Sequence, residues 1–356
     1  MATSTVNLFD KLTLEPWNLD SLRDAVQETF FQDEDFNTYV NVRRVKNDDP
    51  IALIGELDMV GKKGSGCDPT YEEKGFANSM QRWVLGDWQI PIKICYDAVA
   101  GTIAELALNT GTEIGDLTDT DIMAIYTSLL DRAMKQMIWR FGWFGDTEAN
   151  NVTGGGKITD GLDLSHFTVC DGLFKRILAI CTENPAQRTT IEANTKPTTG
   201  EQKSELLTSG TATSLVDQIL MDADSRIIDD PNAVLMMTRS LADALTYDIK
   251  KTYHDIMPWE KVFEGFDTAT YNGVKIARIS IWDRLIAADE KGTATLNLPH
   301  RAVFANPKQL MVGTDPDSLI SDLDIWFDRK ERRNYLFSQG KIGTAILESG
   351  LIHAAY

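Results

Sequence analysis

The chain has 356 residues, with 35 Lys+Arg against 53 Asp+Glu for a formal net charge of −18, and is 43% hydrophobic and 25% charged. Those proportions suit a globular protein with a large core, and the acid excess excludes a surface specialised for nucleic-acid phosphates or anionic membrane, which needs Lys and Arg in excess. No apolar run approaches the ~20 residues of a membrane helix, and Met1 to Glu15 lacks the basic-then-apolar pattern of a signal peptide, so the sequence reads as a soluble, acidic protein made inside a cell.

In chain order, residues 1–50 carry 5 basic and 10 acidic groups and read as an arm with one helix. Asp20 or Ser21 caps that helix, and Leu22, Val26 and Phe30 follow at helical spacing. Pro50 through Val60 is extended and runs into Gly61-Lys-Lys-Gly-Ser-Gly66, a tip no helix tolerates. The chain returns from Tyr71 to Ile94, where Trp83, Leu85, Trp88, Ile90, Ile92 and Ile94 nearly alternate with polar residues. Together these runs predict a long two-stranded excursion, marginal alone in water and so stabilised by a partner chain.

Thr118-Asp-Thr-Asp121 opens the clearest element, with Asp standing for Glu in a capping box. Ile122, Ile125, Tyr126, Leu129, Leu130, Ala133, Met134, Met137, Ile138 and Phe141 repeat at three and four residues. That periodicity predicts a helix over about 118–142, roughly 36 Å long, closed by Gly142-Trp-Phe-Gly145. A Gly-, Asn- and Asp-rich loop over 150–163 follows, then a helix from Gly172 to Thr182. Thr189 to Gly210 reads as a polar surface loop, and Thr213 to Ile227 as a helix. Ala233–Thr238 is a short buried strand, and Ser240 caps a helix through about Tyr253. Tyr271-Asn-Gly-Val274 signals a type I′ hairpin. Ala302–Ala305 is another buried strand; Ile325 begins a strand that turns near Asn334, and Leu336–Phe337 and Ile342–Ile352 finish the chain extended. Helices and strands interleave without a βαβ rhythm, repeat or linker, so the fold class is α+β.

Catalytic motifs are missing from this order. Cys67, Cys95, Cys170 and Cys181 form no CxxC pair, and His166, His254, His300 and His353 stand far apart, so reduced thiols and structural imidazoles are the plain reading. Two glycine runs fail as phosphate loops: Lys63 follows Lys62, and Ile158 follows Gly154-Gly-Gly-Lys157, where a magnesium-binding hydroxyl belongs. Pro69 takes the third glycine place of a dinucleotide fingerprint begun at Gly64-Ser-Gly66. Asp315, Asp317, Asp322, Asp324 and Asp328 form one acidic stretch, and Asp222, Asp224, Asp229 and Asp230 another. The first lacks the central glycine and terminal glutamate of an EF-hand loop; both read as solvated loops and helix caps. No catalytic, cofactor-binding or metal residue is assigned, and no cofactor is expected.

The order of elements resembles the major capsid proteins of tailed bacteriophages, the Hong Kong 97-type fold. Its parts run as in that family: an arm, an extended loop with a glycine tip, a long helix ending at Gly142 and Gly145, and the Asp171-Gly-Leu173 start of a following domain. The series Ala233–Thr238, Ser240–Tyr253 and Tyr271–Ile276 and the ending Asp328–Asn334, then Gly340 through Ala345–Glu348, complete the likeness over about residues 20–356. The resemblance implies an N-terminal arm at 1–44, an extended β loop at 45–93, a peripheral domain at 94–165 and 318–356 that includes the spine helix, and an axial domain at 166–317. It implies a structural protein, not an enzyme: copies of the chain forming hexamers and pentamers of an icosahedral shell around double-stranded DNA held by loose contact only. Portal, scaffolding or decoration proteins would be its other partners, with no membrane, and the virion its place after synthesis in the host cytoplasm.

Two departures accompany the likeness. Only about 45 residues precede the loop, with no heptads, so scaffolding is absent or a separate protein. Some members crosslink a loop lysine to a neighbour's asparagine; Lys62, Lys63 or Lys74 and Asn334 stand in comparable places, although a solvated lysine is the commoner case. For a shell, the interface candidates are Trp83 and Trp88, exposed until assembly or else ordinary core residues; the loop lysines Lys62 and Lys63; and Arg329, Arg332 and Arg333. Residues 301–356 hold 7 basic and 7 acidic groups, so the arginine cluster lies in a neutral segment. It would pair with acidic loops of another copy, or form a solvated turn. An encapsulin-type compartment shares the fold; a tail or connector ring and a metal-dependent enzyme built on Asp315–Asp328 are the readings from other classes.

Overall fold

The computed structural model describes residues 34–54, 78–95, 132–252, 254, 257–263, 266–315, 324–328, 330 and 333–356. The expected helix near 20–30, the glycine tip, the first part of the spine helix, Lys62, Lys63, Lys74, Arg329 and Arg332 lie outside the described residues. The described residues begin with α1 (Glu34–Tyr39), β1 (Asn41–Arg44), β2 (Pro50–Ile54), β3 (Asn78–Arg82) and β4 (Gly86–Cys95). The end of the spine helix follows as α2 (residues 132–139), passing into a π-helical turn at Arg140–Phe144 that stops at Gly145. Next come α3 (Leu173–Glu183), β5 (Arg188–Thr189), α4 (Thr199–Leu206), α5 (Thr211–Asp222), α6 (Ser225–Ile228), β6 (Val234–Thr238) and α7 (Arg239–Thr252). The remainder is β7 (Glu260–Phe263), β8 (Phe266–Tyr271), β9 (Val274–Ile279), α8 (Ser280–Asp289), β10 (Ala302–Ala305), β11 (Leu310–Thr314), β12 (Asp324–Asp328), β13 (Arg333–Ile346) and β14 (Ile352–Ala355).

A seven-stranded sheet, ordered β5-β14-β10-β6-β9-β8-β7, forms the centre. Its strands obey the two-residue period of a sheet buried on both faces. Val234, Met236, Ala277, Ile279, Val303, Ala305, Ile352 and Ala354 feed one core cluster. Their neighbours Leu235, Met237, Ile276, Ala302, Phe304 and Ala355 feed a second on the opposite face. The first face is covered by Trp139, Trp143, Phe174 and Trp282 from α2, the π turn, α3 and α8, and the second by Leu206, Val216, Ile227 and Leu245 from α4 to α7. At the β8–β9 turn Asn272 and Gly273 have φ of 48° and 82°, the two left-handed residues of the predicted type I′ hairpin.

A five-stranded sheet runs β1-β11-β13-β12, with β4 also on β13. Strand β13 takes β12 and β4 along its first half and β11 along its second. Here the excursion differs from expectation. The return does not pair back along its length: β3 pairs β2 from Pro50↔Arg82 to Ile54↔Asn78, the chain bends at 83–85, and β4 pairs β13 over ten residues. The reason is burial. An alternating Trp88, Ile90 and Ile92 face needs a core, which a lone hairpin cannot offer.

Other corrections follow from pairing and capping. The sheets cut across the division at 317/318, because β11 joins the five-stranded sheet while β14, buried along its whole length, lies between β5 and β10. The expected surface loop at 189–210 contains β5 and α4, whose Thr198 accepts from the Glu201 N–H. Thr198-Thr-Gly-Glu201 is a capping-box spacing that a polar composition concealed. The turn expected near Asn334 lies earlier, between Asp328 and Arg333, and Asn334 sits inside β13 opposite Phe327.

Candidate functional site

The feature without an internal explanation is the ribbon formed by β2 and β3, which among the described residues pair only with each other. Its root is a crossing of two segments. The Asp48 N–H donates to the Trp83 carbonyl at 2.9 Å, and the Trp83 N–H to the Asp49 carbonyl at 3.0 Å. The Leu85 N–H donates to Asn47 Oδ1 at 3.1 Å, and Asp49 Oδ2 accepts from the Lys46 N–H at 2.7 Å. The Arg82–Asp48 pair at 2.6 Å is open to solvent and adds little.

Of the two readings of Trp83 and Trp88, exposed until assembly or ordinary core residues, the burial favours the second: they are buried within the chain, at 4% and 3% exposure, on opposite faces of the five-stranded sheet. On β13, Ile342 and Ile346 face the main core while Ala345 faces Trp83; on β11, Leu310 and Val312 face the core while Met311 faces Trp83. Glycines make the seats. A Cβ on Gly313 would come within 2.7 Å of the Trp83 indole and 2.5 Å of Val45, and one on Gly340 within 2.5 Å of Trp88. Gly343 pairs with Gly313 in register, and a Cβ there would meet the Val84 carbonyl at 2.4 Å. Sequence reasoning passed over these three glycines, although glycine inside a strand pattern is itself a sign of close approach.

The outer face of β4 and β13 carries the register pairs Asp87↔Lys341 and Gln89↔Gln339. These four residues, with Trp88, Phe141, Asp163, Ser165, His166 and Val169, border an open cleft of about 920 Å³ at this edge of the sheet. Arg333 opens β13 between Cys95 of β4 and Asp328 of β12, and so stands at the far end of the same strands.

Charge is concentrated inside, where the spine meets α3 and α8. Arg301 pairs with Glu290, both almost fully buried, and Arg140 with Asp289 at 2.8 Å. Lys157 lies 3.3 Å from Asp146 and 3.7 Å from Glu290, while Lys175 binds Asp146 and Asp171 at 2.8 Å each. Burial alone would raise the Asp171 carboxyl, but hydrogen bonds from Lys175 and Thr147 outweigh it and bring it to about 2. Burial would lower Lys175, and its two carboxylate partners instead raise it. These pairs tie elements together.

A Ser240–His300–Asp283 grouping has the residue types of a catalytic triad but not its geometry. Ser240 Oγ is 2.9 Å from His300 Nδ1, yet His300 Nε2 faces the Gln202 carbonyl at 3.1 Å. Asp283 accepts from the Arg239 and Ser240 N–H groups and so caps α7. In the acidic stretches, Asp224 caps α6 and Asp230 the following turn, while β12 runs from Asp324 to Asp328. Among the described residues, no group of three or more His, Cys, Asp or Glu is placed to hold a metal ion, and no helix is long and apolar enough to cross a membrane.

No protein-family model and no curated protein matches the sequence. Solved structures match in shape. A chain of the satellite phage P4 procapsid, which includes the size determination (Sid) protein, superposes with a TM-score of 0.51 at 13% identity, over 95% of this chain and 98% of that one. A chain of Mycobacterium phage Ogopogo gives 0.49 at 12% identity, over 90% of each. The holo-SrpI encapsulin complex from Synechococcus elongatus gives 0.46 at 10% identity, over 100% of this chain and 91% of that one. The P4 likeness shows that this chain has a phage-capsid fold.

Proposed function

We propose that the chain is the major capsid protein of a tailed phage: a structural subunit, not an enzyme, that assembles with copies of itself into an icosahedral head shell around double-stranded DNA. The observation that carries this reading is the end-to-end match to the P4 procapsid chain, with coverage above nine-tenths on both sides. The β2–β3 ribbon supports it, since a two-stranded ribbon projecting from its own sheet suits a contact with a neighbouring copy. On this reading the seven-stranded sheet is the axial part, the five-stranded sheet the peripheral part, and 45–85 the extended loop. The arginines at 329, 332 and 333 meet acidic loops of another copy, the loop lysines Lys62 and Lys63 sit at subunit contacts, and packaged DNA is held loosely. Portal, scaffolding or decoration proteins complete the virion.

Negative-stain microscopy of the expressed full chain tests the reading. Closed shells, or hexamers and pentamers, are expected; a chain that stays monomeric at high concentration overturns it. Shells purified from the producing cells with protein cargo in place of DNA would make it a compartment, and shells unaffected by Arg332→Glu with Arg333→Glu would discard the arginine contact.

A further inference from the structure

We infer that Trp83, seated on Gly313 while the adjoining Val84 carbonyl rests on Gly343, is the positioning residue that fixes the direction of the β2–β3 ribbon and so sets how neighbouring copies meet. The inference rests on the shell reading and adds to it one residue and its seat. Three observations converge.

The first is separation. The sheet divides Trp83 from the main core, and among the described residues its cluster holds Ile51, Met311 and Ala345 as buried partners, with Val45, Leu85 and Leu347 at the edge. Ile51 belongs to the ribbon and Met311 and Ala345 to the sheet, so the indole is the piece common to both. The second is the seat. Two glycines in register on adjacent strands remove the side chains that would lift the indole and the 83–85 bend off the sheet. A larger residue at either glycine would displace the indole or the Val84 carbonyl, and the ribbon with it. The third is the backbone. Both polar groups of Trp83 are bonded to the other segment of the root, through the Asp48 N–H and the Asp49 carbonyl, so a turn of the indole turns the crossing itself. Leverage follows from length: β2 continues five residues beyond the crossing, about 16 Å at 3.3 Å per residue, so a small rotation at Trp83 is multiplied at the far end.

The test compares the full-length wild type with Trp83→Ala, Trp83→Phe and Gly343→Ala, reading shell diameter and yield by electron microscopy, thermal midpoint, and amide exchange. The inference expects Trp83→Ala to keep its midpoint within about 4 °C, because the root opens as a local unit. Exchange at the Asp48 and Trp83 amides rises while β6 and β10 stay protected, and shells of uniform diameter are lost. Trp83→Phe restores part of the yield. Gly343→Ala, which leaves no cavity and pushes on the Val84 carbonyl, changes the diameter distribution. Normal shells from Trp83→Ala or from Gly343→Ala overturn the inference and leave the shell reading intact. Global unfolding of Trp83→Ala also overturns it, because Trp83 would then be a general core residue. A wild type that forms no shells defeats the shell reading instead, and the exchange pattern alone then decides whether Trp83 holds the root.

Discussion

Lowering the pH from 7 to 5 should destabilise the folded chain chiefly through His300, which is 2% exposed. The Gln202 carbonyl can only accept, so His300 Nε2 carries the hydrogen and Nδ1 accepts from the Ser240 hydroxyl. Burial pushes this imidazole from an ordinary 6.5 down to about 4, against a smaller upward pull from the Gln202 carbonyl. Between those values the unfolded chain binds a proton that the folded chain excludes. Stability therefore falls as pH drops below about 6.5 and stops falling below about 4. Linkage gives a loss of about 2 kcal/mol between pH 7 and 5, and about 3 kcal/mol in full. Two nearby groups complicate the raw curve. Asp283 is raised by burial, against hydrogen bonds from Arg239 and Ser240, so its protonation favours the fold in acid. His353 is lowered by burial, against Asp222, and adds to the loss. Urea unfolding of wild type and His300→Asn at both pH values isolates His300, since the variant keeps the other two. The acid loss should be smaller in the variant by about 2 kcal/mol; equal losses would refute the reasoning.

Two further substitutions probe the interior. Arg301→Leu leaves Glu290 buried at 1% exposure with Lys157, 3.7 Å away, as its one cation and the Asn297 amide donating at 3.2 Å, and should cost about 3–5 kcal/mol in urea unfolding. Adding Glu290→Leu should recover most of that, and a double variant as unstable as the single one would show that the pair is not what holds Arg301. Gly340→Ala drives a Cβ into the Trp88 indole and should cost about 1–3 kcal/mol. Combined with Trp88→Leu it should cost less than the sum of the two, and strict additivity in thermal melts would reject the contact.

The sequence showed most clearly those elements whose own period decides them. The β6 and β10 strands, α3, α7 and the Asn272-Gly273 hairpin were all legible because burial pattern and turn chemistry agree within a few residues. The fate of 71–94 was not, because its alternation is right for a strand yet says nothing about the partner. Pairing with β13 is a contact about 250 residues away along the chain. The end of the chain posed the same problem: Ile352–Ala355 reads as extended, and only the open edge of β10 determines that it joins the seven-stranded sheet. The candidate site was half legible. Trp83 and Trp88 stood out by size, but which side of a sheet each would occupy depends on Gly313, Gly340 and Gly343, whose meaning lies in what is missing from them.

The net charge of −18 also takes on a different meaning once the interior is known. Arg140, Arg301, Lys157, Lys175 and Arg278 are engaged with Asp289, Glu290, Asp146, Asp171, Asp267 and Asp243 in pairs at least partly shielded from water. Pairs of opposite charge leave the net value unchanged but withdraw cations from the surface, so what remains outside is more one-sided than the composition suggests. Copies brought together, as the proposed shell requires, would repel over a range cut to about 8 Å by physiological salt. Charge attraction alone is therefore a poor source of cohesion for the body of the subunit. Cohesion would then fall to elements that offer backbone and apolar groups, which describes the two-stranded ribbon of β2 and β3. On the proposed shell reading, a contact made by the ribbon is only as accurate as the angle at which it leaves the sheet, and that is a physical reason for a large, flat, buried indole at position 83 over Gly313.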